Sequence, residues 1–209
     1  MKPTILQIQT SLYEGEAQSS QLANRFTTAW REANPNGEVV RRDLARDPVP
    51  HLTAERFAAF TTAPDERTLE QLEITDFSDE LIDELRRADV IVLGVPMYNF
   101  GIPSSLKAYF DHVARAGVTF RYGANGPEGL LKGKRAVVFA TRGGLYAGTP
   151  HDTQEPYLRQ FLRFIGIEDV EFVYAEGMAM GNGAREKAIA DANLAIDRLT
   201  EGQALRLAA

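Results

Sequence analysis

The side chains best placed to do chemistry lie in three short stretches, each following an apolar run. The first is "TSLYEGEAQSS", Thr10 to Ser20, rich in hydroxyls and leading into a helical pattern. A helix N-terminus carries unpaired N–H donors and a partial positive charge, so it favours a phosphate. Ser11, Gln18 and Ser19 can donate to phosphate oxygens. By itself this stretch reads first as a solvated loop with an ordinary cap, because serine before a helix is common. The second is "PMYNFGIPSS", Pro96 to Ser105. Met97, Tyr98 and Phe100 offer flat or polarizable surface, and Asn99 offers an amide that both donates and accepts. A planar heterocycle needs both: surface for its face and polar groups for its edge. Packing beneath neighbouring helices is the competing account of these aromatics. The third is "TRGG", Thr141 to Gly144. Its glycines allow close backbone approach or a positive φ, and Arg142 reads as a rim charge or a phosphate contact. Alone, it is a tight turn with a solvated arginine.

The elements that position these stretches follow from periodicity. Thr4 to Gln9 reads as a strand. Leu22, Phe26, Ala29, Trp30 and Ala33 recur at helical spacing, with Ser19 or Ser20 as the expected N-cap. Glu38 to Asp43 is a weaker strand. Leu44 to Phe77 is long and proline-containing, with one or two short helices expected. Ser78 is the expected cap of a helix marked by Leu81, Ile82, Leu85 and Ala88. Val90 to Val95 is apolar on both faces, as at the centre of a parallel sheet. Pro103 suits the first turn of the next helix, whose stripe is Leu106, Tyr109, Phe110 and Val113. After the excursion "ARAGVTFRYGANGPEGLLKGK" come a strand from Arg135 to Ala140, a helix from Tyr157 to Ile165, a strand from Val170 to Tyr174 and a helix from Ala184 to Leu199. Strict alternation implies one α/β domain over residues 1–209, a doubly wound five-stranded parallel sheet of flavodoxin-like order 2-1-3-4-5 with helices on both faces. In such sheets ligands bind beyond the carboxyl ends of the strands at the switch point. All three stretches fall there, and their convergence outweighs each alone. A flavin mononucleotide, FMN, fits the set, with its phosphate at the first loop and its ring between the second and third.

Composition narrows the field. The formal charge is −6, with 23 basic and 29 acidic residues, which gives no electrostatic reason to bind nucleic acid or an anionic membrane. There is no cysteine, which excludes disulfides, thiolate catalysis and Cys-ligated metal. His51, His112 and His151 form no metal-binding pattern, so no metal is expected. Walker A, GxSxG and GxGxxG motifs are absent. The N-terminal stretch is too short and polar for a signal peptide, and no apolar run spans a bilayer, so a cytoplasmic location is the default expectation.

"PMYNF" with "SLKAYFDHVARAGVTFRY", then "NGPEGLL", "RGG" and "FIGIEDVEFVYAEG", resembles the FMN-dependent azoreductases, also described as FMN-dependent NADH:quinone oxidoreductases. The resemblance runs from the first strand to the last helix. It implies a flavodoxin-like homodimer with one FMN per subunit at the interface. It also implies a ping-pong scheme, in which NADH or NADPH reduces the flavin and leaves before a quinone or aromatic azo compound is reduced in the same pocket. Carried over by position, Ser11, Ala17, Gln18 and Ser19 match the phosphate-binding positions. Met97, Tyr98, Asn99 and Phe100, following Pro96, match the flavin-ring run, and Thr141, Arg142, Gly143 and Gly144 match the third flavin loop. Two positions depart from the usual serine: Ala17 keeps only its backbone N–H, and Thr141 keeps the hydroxyl. Phe120 and Tyr122 are implied to wall a pocket, that of the same or the partner subunit, with dimer packing the equal alternative. Tyr146 and His151 are further candidates for substrate contact. The chemistry is expected to be flavin-centred, with no protein residue named as general acid. A flavodoxin-type electron carrier and a flavin-free phosphate-binding protein are the competing functions.

Overall fold

Alternating apolar residues give each strand two faces, and the computed structural model, which describes residues 2–13 and 16–201, packs helices on both. The element order is β1 (Thr4–Gln9), α1 (Gln18–Ala33), β2 (Glu38–Asp43), α2 (Ala54–Thr61), α3 (Leu69–Arg87), β3 (Val90–Pro96), α4 (Ser104–Val113), β4 (Phe120–Gly123), β5 (Gly126–Gly129), β6 (Arg135–Thr141), α5 (Gln154–Ile165), β7 (Asp169–Ala175) and α6 (Asn182–Glu201). The main sheet is parallel in the order β2-β1-β3-β6-β7. This is the expected 2-1-3-4-5 once the β4–β5 hairpin is set aside.

Ile5, Val90, Val92, Val137, Phe139 and Val173 form one core with Leu22, Phe26 and Trp30 of α1 and Ala192 and Ile196 of α6. Leu6, Ile8, Ile91, Leu93, Val95 and Val138 form the other, against α3, α4 and α5. Every residue of β3 is buried, as its unbroken apolar run requires.

Three expectations are corrected. Ser78 is not a cap. The helix begins nine residues earlier, behind Thr68, which forms a capping box with Gln71. Ser78 lies in its interior, buried, and donates its Oγ–H to the His112 carbonyl at 2.6 Å. Neither Ser19 nor Ser20 is the N-cap of α1. That position is Ala17, and both serines lie in the first turn, buried. Pro103 stands one residue ahead of the first turn of α4, as its N-cap. The excursion after α4 folds into an antiparallel hairpin, Phe120↔Gly129 to Gly123↔Gly126, around Ala124-Asn125. Its "ANG" is a turn signal, set in strands too glycine-rich to show alternation.

Candidate functional site

Register brings the three stretches together. β3 and β6 end level, with Pro96 opposite Thr141, and the Met97 N–H continues the ladder to the Thr141 carbonyl at 2.9 Å. β1 ends beside them, with Gln9 opposite Gly94 and the Thr10 hydroxyl donating to the Gly94 carbonyl at 2.8 Å. A Cβ on Gly94 would come within 3.1 Å of the Ser19 carbonyl oxygen. The missing side chain lets the first turn of α1 lie directly on β3.

Between these strand ends is a cleft of about 250 Å³. It is lined by Ser11, Tyr13, Ala17 and Gln18 from the first stretch and by Pro96, Met97 and Tyr98 from the second. Thr141, Arg142 and Gly143 come from the third, and Met178 and Arg185 from the segment after β7. A larger hollow of about 670 Å³, lined by Glu128, Lys132, Arg163 and Asp169 among others, lies at the opposite ends of the strands. Doubly wound sheets bind ligands at the carboxyl ends, so the smaller cleft is the candidate site.

The α1 end of the cleft is built for an anion. Ala17 is extended and provides no side-chain cap, and no acidic residue stands in the first turn. Ser19 Oγ and Ser20 Oγ are buried without a hydrogen-bond partner among the described residues. Free first-turn N–H groups, a buried hydroxyl and the helix dipole together favour negative charge. Ser11 is buried; its Oγ lies 3.1 Å from the Tyr98 hydroxyl and accepts from the Tyr13 N–H at 3.2 Å. Gln18 is half-buried, its amide bound to Gln21 at 3.1 Å. Glu14 and Gly15 lie outside the described residues.

The second stretch closes on itself. Tyr98 and Gly101 exchange backbone hydrogen bonds at 3.1 and 3.0 Å. The two residues between them, Asn99 at φ 50° and Phe100 at φ 67°, are the only described non-glycine residues with positive φ. This is a two-residue turn of the kind that wants Asn-Gly; phenylalanine in the left-handed region costs on the order of 1–3 kcal/mol. The turn holds Asn99 and Phe100 out to solvent, with Phe100 58% exposed. The Phe100 ring meets Tyr146 edge-on at 5.8 Å. Sequence reasoning placed these residues but not their backbone, since Asn99-Phe100 carries no glycine to signal a turn.

In the third stretch neither Gly143 nor Gly144 has a positive φ, and a Cβ on Gly143 would meet only Ala179 Cβ at an ordinary 3.4 Å. A Cβ on Gly144 would meet the Tyr146 hydroxyl at 2.9 Å. Arg142 offers only its backbone side to the cleft. Its guanidinium is fully buried and bonds Asp152 through Nη1 at 2.8 Å and Nη2 at 3.1 Å, Glu176 at 3.1 Å and Gln154 Oε1 at 3.2 Å. Two carboxylates and a stacked ring hold it there: its Cζ lies 5.1 Å from the Tyr174 centroid. It is therefore neither a solvated rim charge nor a side-chain phosphate ligand. Glu176 Oε1 also accepts from the Tyr146 and Ala147 N–H groups at 2.8 and 2.9 Å, which fixes the loop.

Phe120 is buried against Phe164 at 4.2 Å, and Tyr122 stands 76% exposed on the hairpin. Neither lines the cleft of its own chain. Tyr146 and His151 do not line it either: Tyr146 packs edge-on against Phe100, and His151 is exposed. Met178, Arg185 and Tyr13 line the cleft without having been singled out from the sequence. The rule that ligands sit beyond strand ends could have flagged Met178 and Arg185, because both follow β7.

Comparison with known proteins gives the family and the fold. A family model described as having a flavodoxin-like fold matches residues 3–199. A protein of Cellvibrio japonicus named FMN-dependent NADH:quinone oxidoreductase is 53% identical over 195 residues, covering 93% of this chain and 97% of its own. FMN-dependent NADH:quinone oxidoreductase 6 of Burkholderia lata is 55% identical over 193 residues, covering 92% and 98%. A crystal structure of an FMN-dependent NADH-azoreductase from Bacillus anthracis in complex with FMN superposes with a TM-score of 0.83 at 27% identity, covering 96% of this chain and all of that one. With half its residues shared over nearly its whole length, the chain belongs to the flavodoxin-like family of FMN-dependent NADH:quinone oxidoreductases and azoreductases.

Proposed function

We propose that this protein is an FMN-dependent oxidoreductase that uses NADH or NADPH to reduce quinones and aromatic azo compounds. The observation that carries the reading is the anion-ready first turn of α1 in one cleft with Pro96, Met97 and Tyr98 of the second stretch and Thr141, Arg142 and Gly143 of the third, the exposed Asn99-Phe100 turn following directly in the chain. One end suits a phosphate and the other a planar ring, so the residues present fit FMN. Ser11, Ala17, Gln18 and Ser19 would hold the phosphate. Pro96 to Phe100 and Thr141 to Gly144 would hold the ring, with Arg142 and Gly144 shaping the loop. A bound FMN supplies two-electron transfer between a reduced nicotinamide nucleotide and the acceptor. The backbone N–H groups of Gly143 and Gly144 would stabilise negative charge gained by the ring on reduction, the Arg142 N–H being bonded to the Ala175 carbonyl at 3.0 Å.

A homodimer belongs to the same reading. A cleft of about 250 Å³ falls below the roughly 300–1,000 Å³ typical of ligand pockets. Leu12, Tyr13, Phe100, Leu145 and Met180 are exposed apolar residues of the loops that build it. A second copy would complete the wall, and Phe120, Tyr122, Tyr146 and His151 are the candidates for substrate contact across it. The described helices include none long and apolar enough to cross a membrane. A cytoplasmic location is the setting we infer.

Stopped-flow reduction of the flavin-bound protein by NADH and NADPH, followed by reoxidation with a quinone panel, tests the activity. Rapid steady-state turnover is expected. Reduction without turnover would favour the electron-carrier reading instead. A colourless protein that takes up no flavin on reconstitution would sink both.

A further inference from the structure

The strained turn is held from outside by the start of α5. The Thr153 hydroxyl donates to the Phe100 carbonyl. Gln154, buried, donates its Nε2–H to the Pro96 carbonyl at 3.1 Å and reaches the Gly101 carbonyl at 3.5 Å. The carbonyls entering, inside and leaving the turn are thus all held by two adjacent side chains. Gln154 is itself fixed, because its Oε1 accepts from Arg142 Nε at 3.2 Å, which settles which end of the amide points to Pro96. Asp152 pairs with Arg142 and also caps α5, its Oδ1 accepting from the Gln154 and Glu155 N–H groups at 3.1 and 3.0 Å. Glu176 ties the same guanidinium to the backbone of Tyr146 and Ala147.

We propose that Thr153 and Gln154 are positioning residues, a latch that holds Asn99 and Phe100 in the left-handed conformation and, through Arg142, locks the second loop to the third before any ligand arrives. The physical reason is that a backbone in a sparsely populated region persists only where its surroundings over-determine it. Asn99-Phe100 lacks the glycine that would make the turn cheap, so the hydrogen bonds from α5 must hold it. The inference rests on the FMN reading: what the latch prepares is the bed for the ring.

The full-length flavoprotein tests it with three variants. Thr153→Val keeps shape and removes the hydroxyl, Thr153→Ser keeps the hydroxyl, and Gln154→Glu keeps size and removes the Nε2 donor. Readouts are FMN dissociation on dilution, followed by flavin fluorescence, and the visible circular dichroism of the bound flavin, with thermal unfolding alongside. Thr153→Val and Gln154→Glu are each expected to raise the FMN Kd about fivefold, the worth of one hydrogen bond, and to diminish the flavin dichroism. Thr153→Ser is expected to retain both. The latch is overturned if Kd and dichroism stay at wild-type values in Thr153→Val, whatever happens to Tm, or if Thr153→Ser is as damaging as Thr153→Val. Wild-type protein that binds no flavin would defeat the functional reading itself. Flavin-bound wild type with unaltered variants defeats the latch alone.

Discussion

Single residues in this site divide into those that offer themselves to a ligand and those that hold the others still. Asn99 does both: its amide is presented outward, and it tolerates φ 50° because asparagine enters the left-handed region more readily than other non-glycine residues. Asn99→Ala therefore removes the amide and adds strain, whereas Asn99→Gly removes the amide and relieves strain. Both are expected to slow flavin reduction or weaken FMN binding, with the alanine variant also losing about 1 kcal/mol of stability relative to glycine. Wild-type reduction rate and affinity in Asn99→Gly would show that the amide plays no part. Ser19 is the second case. Its Oγ, buried and without a partner among the described residues, should make Ser19→Ala weaken FMN, with its phosphate, by about five- to tenfold while leaving riboflavin binding unchanged; equal losses for both would refute a phosphate role. His112, on α4, lies outside the cleft. It is buried with its Nδ1 on the Ala108 carbonyl at 2.9 Å, edge-on to Phe60 and Phe77, and its Nε2 has no partner among the described residues. Burial holds its pKa below the usual imidazole value, outweighing the favourable bond to Ala108. The unfolded chain then binds the extra proton first. His112 therefore removes stability as pH falls below about 6.5, by up to about 1.4 kcal/mol per pH unit, until the lower folded pKa is reached. Urea unfolding of wild type and His112→Phe at pH 7.5 and 5.5 checks this: the variant should lose less on acidification.

At the scale of elements, close approach decides whether the site exists. The first turn of α1 reaches the cleft because β3 carries Gly94 where any side chain would press on the Ser19 backbone at 3.1 Å. Gly94→Ala is expected to push α1 outward, costing on the order of 1–3 kcal/mol and weakening FMN binding in parallel; an unchanged urea midpoint and unchanged affinity would contradict it. Regular elements were legible from the chain. β3 announced itself by its unbroken apolar run, and α5 by Tyr157, Leu158, Phe161 and Leu162 at helical spacing. The start of α3 was hidden. Leu69 is largely and Leu72 partly exposed there, so the apolar period does not mark the first turns, and Ser78 resembles a cap while donating to the His112 carbonyl from inside the helix. The β4–β5 hairpin escaped notice because GPEG and FRYG have too few alternating side chains to declare a strand.

At the scale of the whole molecule, the loops around the cleft leave Leu12, Tyr13, Phe100, Leu145 and Met180 exposed, apolar surface for which a second copy of the chain is the proposed cover. Sedimentation of the flavoprotein at micromolar concentration is expected to give a dimer of twice 23.1 kDa, with FMN dissociating more readily on dilution into the monomer range. A monomer that retains FMN at all concentrations would show that one chain suffices. The layer architecture, the strand order and the place of the three loops are legible in the residues alone, because burial period and alternation of elements are local properties that leave few topologies. It also supplied the family likeness in "PMYNF" and "RAGVTFRY". Where each loop side chain points, and what it bonds, came from the folded chain. Arg142 lies beneath the loop and not on its rim because Asp152, Glu176 and Gln154, ten or more residues away in the chain, converge on its guanidinium. Ser19 lies in a helical turn with no side-chain partner among the described residues, and Asn99-Phe100 is bent left-handed beside hydrogen bonds from Thr153 and Gln154. A side chain's direction and partners are set by contacts between segments distant in sequence, and no local pattern records them.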